Sequence, residues 1–420
     1  MIYIHKFDDP YDFEDAYYDE SVTENSSWLS YLEDGYGLTK INYQKSYEDM
    51  PLTIEGLDDG NIEVIYDGET DDYTREIEYS INHGNWQSYE PSIDDSLYID
   101  FSEGDIIQFR GYNSEYFSVD GSSYEYITRI YMSGAAKVYG NIMSLCNGSE
   151  FFSSTFVEPY AFKYLFSRND GLVDAENLIL PATELSEHCY SYMFFLCPNL
   201  IYAPKILPAL DLEPRCYQYM FNGCEQLITA PKLPATNLAN YCYQSMFSGC
   251  NDLEYAPELP ATTLKPNCYS SMFYGCESLI DIPRLPATTL DEDCYLYMFA
   301  GCEKLTSVDV SVPEAVIRKR SMFGMFRDCT KLESCVIRPE FYDSSSNLDA
   351  LTGMFQDCIS LKYIKCLIDD YIYPSMCNSW MTNTPNNGTF VCTSGSDWSD
   401  VEDETDLGRW QIVVAQNYYE

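Results

Sequence analysis

One phrase is written over and over in this chain. Cys216-Tyr217-Gln218-Tyr219-Met220-Phe221-Asn222-Gly223-Cys224, followed by Leu227, Ala230-Pro231 and Leu233-Pro234-Ala235-Thr236, recurs from Cys242, Cys268 and Cys294 at intervals of 26 residues. A variant copy begins 27 residues upstream at Cys189. A fixed period of this length means one supersecondary unit stacked on itself, each coil burying its apolar face against its neighbours.

Aligning on Met-Phe extends the series to Leu165-Phe166 upstream and to Met325-Phe326 and Met354-Phe355 downstream, about eight coils between Ala161 and Leu361. In the outer coils the first Cys position holds Ala161, Ser321 or Ala350, and the second holds Asn169, Cys329 or Cys358. Small residues fill the place, so a thiol is not required there. Terminal copies are atypical because one face of each must meet a cap.

The expected core is the set repeated in every central copy: Cys189, Met193, Phe194 and Cys197; Cys216, Met220, Phe221 and Cys224; Cys242, Met246, Phe247 and Cys250; Cys268, Met272, Phe273 and Cys276; Cys294, Met298, Phe299 and Cys302. Within a unit the apolar residues fall at i, i+1, i+4, i+5 and i+8, which predicts a short amphipathic helix from Cys to Cys. The Leu-x-x-Ala-Pro-x-Leu-Pro stretch that follows predicts one brief parallel strand per coil, with Pro204, Pro231, Pro257 and Pro283 marking where pairing stops. The expected class is therefore α/β. The position between Pro and Leu, held by Lys205, Lys232, Glu258 and Arg284, changes charge from coil to coil and is the candidate binding surface.

The core Met246-Phe247-Ser248-Gly249-Cys250-Asn251-Asp252-Leu253 resembles the BspA-like branch of leucine-rich repeats. The Leu-Pro-Ala-Thr-x-Leu spacer, as in Leu259 to Leu264, is similar to the variant found in surface proteins of gut Bacteroidota and in virion proteins of their crAss-like phages. The resemblance covers residues 137–420 and implies a leucine-rich-repeat-like solenoid displayed on a cell or a virion. It names no ligand.

Four segments are expected: an acidic, aromatic-rich arm (1–46), a small antiparallel β-sandwich-like domain (47–136), the solenoid (137–366) and a carboxy-terminal cap (367–420). The β domain rests on alternation in Ile62, Val64 and Tyr66, in Ile77, Tyr79 and Ile81 before the turn Asn82-His83-Gly84-Asn85, and in Leu97, Ile99 and Phe101. The stretch Ile77 to Gly111 is also similar to the β module that precedes these repeats in phage and bacterial proteins. Gly388-Thr389-Phe390-Val391 and Trp410 to Val414 are expected as two covering strands, in a tail that resembles the closing segment of the phage proteins.

Charge is uneven. Residues 1–136 hold 31 acidic against 6 basic residues, and they account for most of the net charge of −43. Such a field repels nucleic acid and anionic membranes, and suits either a solvated surface or a basic partner. The chain has no apolar stretch long enough to span a bilayer, and Met1 to Asp9 lack the pattern of a secretory signal. A lytic phage product released from the cytoplasm fits both observations.

The 17 cysteines carry no Cys-x-x-Cys pair, and there are three histidines, so zinc spacing is missing. They are expected as buried ladders, with coil-to-coil disulfides as the alternative. No catalytic motif, metal site or cofactor site is expected; neither the adjacent His188 and Cys189 nor the acidic run from Asp397 to Asp406 has the geometry for one. The resulting expectation is a non-enzymatic virion structural protein, a fibre, tail or head appendage, or alternatively a bacterial surface adhesin. Its partners would be other virion proteins, met through the amino-terminal region, a host surface protein or glycan, and further copies of the chain.

Overall fold

The computed structural model describes residues 46–68, 76–90, 92, 95–112, 126–310, 318–338, 349–367, 376–396, 398 and 407–415. The arm (1–46) and the acidic run 397–406 therefore lie almost wholly outside the described residues.

The described residues between 47 and 141 form eight strands: β1 (Leu52–Gly56), β2 (Gly60–Gly68), β3 (Ile77–Ile81), β4 (Gln87–Tyr89), β5 (Leu97–Phe101), β6 (Ile106–Gly111), β7 (Tyr126–Met132) and β8 (Ala136–Asn141). The alternation expected from the sequence places Ile62, Val64, Ile99, Phe101, Ile107 and Phe109 in a common buried core. Asn82 and His83 both take positive φ (49° and 59°), and Gly84 N–H donates to Ile81 O (2.9 Å). That is the type I′ turn that matches the twist of a hairpin, here β3 with β4.

These strands make two antiparallel groups, β5-β2-β7 and β8-β1-β6-β3-β4. The second continues past the expected boundary at 136. Strand β8 pairs with β1 on one side and, in parallel, with β9 (Leu172–Asp174) and β10 (Leu178–Ile179) on the other. Residues 47–420 accordingly form one compact unit. Asn169 explains the atypical first copy: its Nδ2 donates to Ile130 O (2.8 Å) and its Oδ1 accepts from Met132 N–H (3.1 Å). The side chain that replaces cysteine fastens the first coil to β7.

The Cys-to-Cys segment is not a helix. Among the described residues the single α-helix is α1 (Ser144–Asn147), and the architecture is sheet and turns rather than α/β. In the central coil, Tyr241, Ser245 and Gly249 have positive φ (60°, 52° and 75°), a value every fourth residue that no α-helix admits. The N–H groups of Gln244, Met246, Ser248 and Cys250 donate three residues back within the coil, to Tyr241, Tyr243, Ser245 and Phe247. Those of Tyr243, Ser245, Phe247 and Gly249 donate across to Cys268, Ser270, Met272 and Tyr274 of the next coil (2.8–3.0 Å). The segment is thus a run of overlapping β-turns, alternate ones with positive φ at the third position as in type II turns. Half its amides stitch coil to coil. A four-residue turn repeat puts i, i+4 and i+8 on one side almost as a 3.6-residue helix does, which is why the spacing suggested a helix.

The extended side also departs from expectation. Where Pro204, Pro231, Pro257 and Pro283 recur, pairing shrinks to isolated bridges such as Asp174 to Tyr202, Tyr202 to Thr229 and Ile206 to Lys232, because proline offers no N–H and ends a ladder. Where that phrase is absent, full strands form. β11 (Ser307–Val310), β12 (Ser334–Ile337), β13 (Tyr363–Cys366), β14 (Thr389–Thr393) and β15 (Gln411–Ala415) make a five-stranded parallel sheet. The two strands expected as a cover are β14 and β15, in register with the coils before them.

Part of the expected cap is itself a coil. Leu351, Gly353, Phe355 and Asp357 donate to Met376, Asn378, Trp380 and Thr382 (2.8–3.0 Å), the pattern of every earlier pair. Trp398 then stacks on Trp380 (5.5 Å, 14°).

Candidate functional site

All twenty of the expected core positions have 0% exposure. Phe166, Phe194, Phe221, Phe247, Phe273, Phe299, Phe326 and Phe355 form one file of near-parallel rings with centroids 5.2–6.1 Å apart. Phe162 and Tyr190, Tyr217, Tyr243, Tyr269 and Tyr295 form a second at 5.5–6.1 Å.

The two cysteine files differ in role. Cys189, Cys216, Cys242, Cys268 and Cys294 lie against the tyrosine file, and burial pushes the thiols of Cys189, Cys242 and Cys294 up to about 12. In the second file each thiol donates to a phenylalanine carbonyl of the preceding coil: Cys224 to Phe194, Cys250 to Phe221, Cys276 to Phe247 and Cys302 to Phe273, at 3.1–3.2 Å. All 17 cysteines are free, and all but Cys146 are buried.

His188 does not couple to Cys189. Its ring stacks on Tyr160 (5.0 Å, 18°), its Nδ1 lies 3.2 Å from Ser191 Oγ, and burial, with Lys163 and Arg215 nearby, lowers its pKa to about 4. A cavity of about 450 Å³ beside α1 is lined by Tyr112, Cys146, Asn147, Glu150, Ser153 and others. It holds one carboxylate and one thiol, the latter pushed up to about 12, chiefly by burial. Among the described residues no group of three His, Cys, Asp or Glu side chains is placed to hold a metal ion, and no helix is long and apolar enough to cross a membrane.

Lys205, Lys232, Glu258 and Arg284 are all exposed, on the extended side of successive coils. The first is displaced from the series. The variant copy carries one extra residue, so Ile206 rather than Lys205 bridges to Lys232, and Lys205 reaches back to Asn177 Oδ1 (2.8 Å) and Glu176 (3.8 Å).

Beside this column lie exposed residues that periodicity does not single out. Tyr202 (38% exposed), Ile228 (42%), Tyr255 (65%) and Ile280 (43%) follow one another over four coils, with exposed Glu254 and Asp281 among them. The available signal was negative: these are the positions at which otherwise near-identical copies disagree.

No family model matches the chain, and no curated protein matches it. Among solved structures, a leucine-rich repeat protein from Bacteroides ovatus is similar to it at 16% identity, over 62% of this chain and 70% of that one, with a TM-score of 0.26.

Proposed function

We propose that the chain is a non-enzymatic presenting scaffold: a leucine-rich-repeat-like solenoid of the BspA type, carried on a phage virion as a fibre, tail or head appendage and used for adhesion to a host surface protein or glycan. One observation supports the scaffold reading above others. The Cys, Met and Phe positions repeated in the five central copies all lie at 0% exposure, while Lys205, Lys232, Glu258 and Arg284, at a position where the copies differ, are exposed. Selection for one interior with a changing exterior suits a surface that meets another macromolecule, and it leaves the repeats no reactive group to contribute. The virion setting is supported by the resemblance of the Leu-Pro-Ala-Thr spacer. A bacterial surface adhesin with BspA-like repeats is the second reading, supported by the same core motif. Mass spectrometry of density-purified particles tests the choice: the chain in stoichiometric amount supports a virion protein, and its recovery only with bacterial envelopes supports the adhesin.

A further inference from the structure

On the extended side of the central coils two columns of residues run along the stack. Ile228 N–H donates to Ile201 O (3.0 Å) and Ile280 N–H to Glu254 O (3.2 Å), which fixes the first column as Ile201, Ile228, Glu254 and Ile280. Bridges from Asp174 to Tyr202 and from Tyr202 to Thr229 fix the second, which the 26-residue period continues to Tyr255 and Asp281. The apolar members zigzag between the columns, Tyr202, Ile228, Tyr255 and Ile280, while Glu254 and Asp281 occupy two of the complementary places and Ile201 and Thr229 the others.

Acids line one margin of the mosaic, and exposed Lys232, Glu258 and Arg284 lie along the other. Glu225 and Asp252, joined by a backbone bond (3.0 Å), and Glu277 are exposed along one margin.

We propose that this face binds an extended basic segment of another protein, one in which apolar side chains alternate with lysine or arginine. The inference rests on reading the stack as a presenting scaffold and names the kind of partner it presents to. Charge complementarity selects the occupant: the apolar side chains meet Ile228, Tyr255 and Ile280, and the cations meet Glu254, Asp281 and the acidic margin. A neutral glycan leaves the carboxylates without a counter-charge, and a second copy brings its own net charge of −43 against them.

The test uses the full chain and a labelled twelve-residue peptide in which valine and lysine alternate, with its valine–glutamate counterpart as control, followed by fluorescence anisotropy. The basic peptide is expected to bind and the acidic one not to. Tyr255→Ala and the pair Glu254→Gln with Asp281→Asn should each weaken binding about tenfold, and affinity should fall between about 0.05 and 0.5 M salt. Tyr274→Ala, at a tyrosine of similar exposure (49%) on the turn side of a neighbouring coil, should change nothing. Equal binding by all variants would mean general attraction to an acidic protein and would overturn the proposal. So would displacement of the peptide by a neutral oligosaccharide, or self-association lost in Tyr255→Ala. Particle association is a separate readout, so either reading can fail without the other.

Discussion

Replacing Phe247 by alanine removes a ring with 0% exposure from the middle of the phenylalanine file. The ring lies 5.6 Å from Phe221 at 2° and 5.6 Å from Phe273 at 9°. Loss of a buried phenylalanine costs about 3–5 kcal/mol in transfer and cavity terms. The two stacked contacts place this site toward the upper end, since aromatic pairs contribute about 0.5–1.5 kcal/mol each beyond burial. A stack held by neighbour contacts cannot spread the damage, because the void adjoins two coils whose own carbonyls and amides are fixed to it. Gln244→Ala, three residues away, removes a half-buried side chain that accepts one hydrogen bond from Gln218, worth about 0.5–1.5 kcal/mol. Urea unfolding followed by circular dichroism should therefore separate the two variants by at least about 2 kcal/mol. Equal losses would refute the assignment of inward and outward positions within the turn ladder.

Other outcomes follow from the same geometry. Asn169→Ala leaves Ile130 O and Met132 N–H buried without their partner and should cost about 2–4 kcal/mol, read as a lower urea midpoint. Buried thiols raised to about 12 favour folding fully below the unfolded thiol pKa, and that contribution is lost as pH rises toward 12. Each should subtract about 1.4 kcal/mol by pH 10, so stability that stays flat from pH 8 to 11 would contradict their burial. For His188 the sign is opposite: with a pKa near 4 it stays neutral in the fold, and its contribution is lost as pH falls from about 6.5 toward 4; an imidazole titrating near 6.5 by NMR would count against its packing. A chain beginning at Met50 should fold with an unchanged spectrum yet be missing from particles if residues 1–46 carry attachment, and normal incorporation would place attachment elsewhere.

The sequence revealed much of the interior and little of the backbone. A residue identical in successive copies at a fixed offset has a fixed environment, so the Cys, Met and Phe files were readable as core before any coordinates. The conformation that presents them was not, since a repeat of four and a helical period of 3.6 diverge too little over nine residues to be told apart by apolar spacing. Positive φ at Tyr192, Tyr219 or Ser245 leaves no mark in residue type; only the glycines at 223, 249, 275 and 301 hinted at it. The ninth coil was hidden because Met376 to Thr384 replaces Met-Phe with Trp380-Met381. The exposed mosaic around Tyr255 was hidden for a different reason: repetition draws attention to what is shared, and a binding face is built from what is not.

The claim on which the account depends is that the repeated residues form a sealed and chemically silent interior, so that function lies outside them. Counting thiols with an excess of a small alkylating reagent, in native buffer and then in denaturant, tests it directly. The prediction is that the sixteen buried cysteines stay unlabelled in the folded protein and that all 17 react once it is unfolded. Rapid native labelling of the central cysteines, or a shortfall in denaturant that reductant restores, would contradict it.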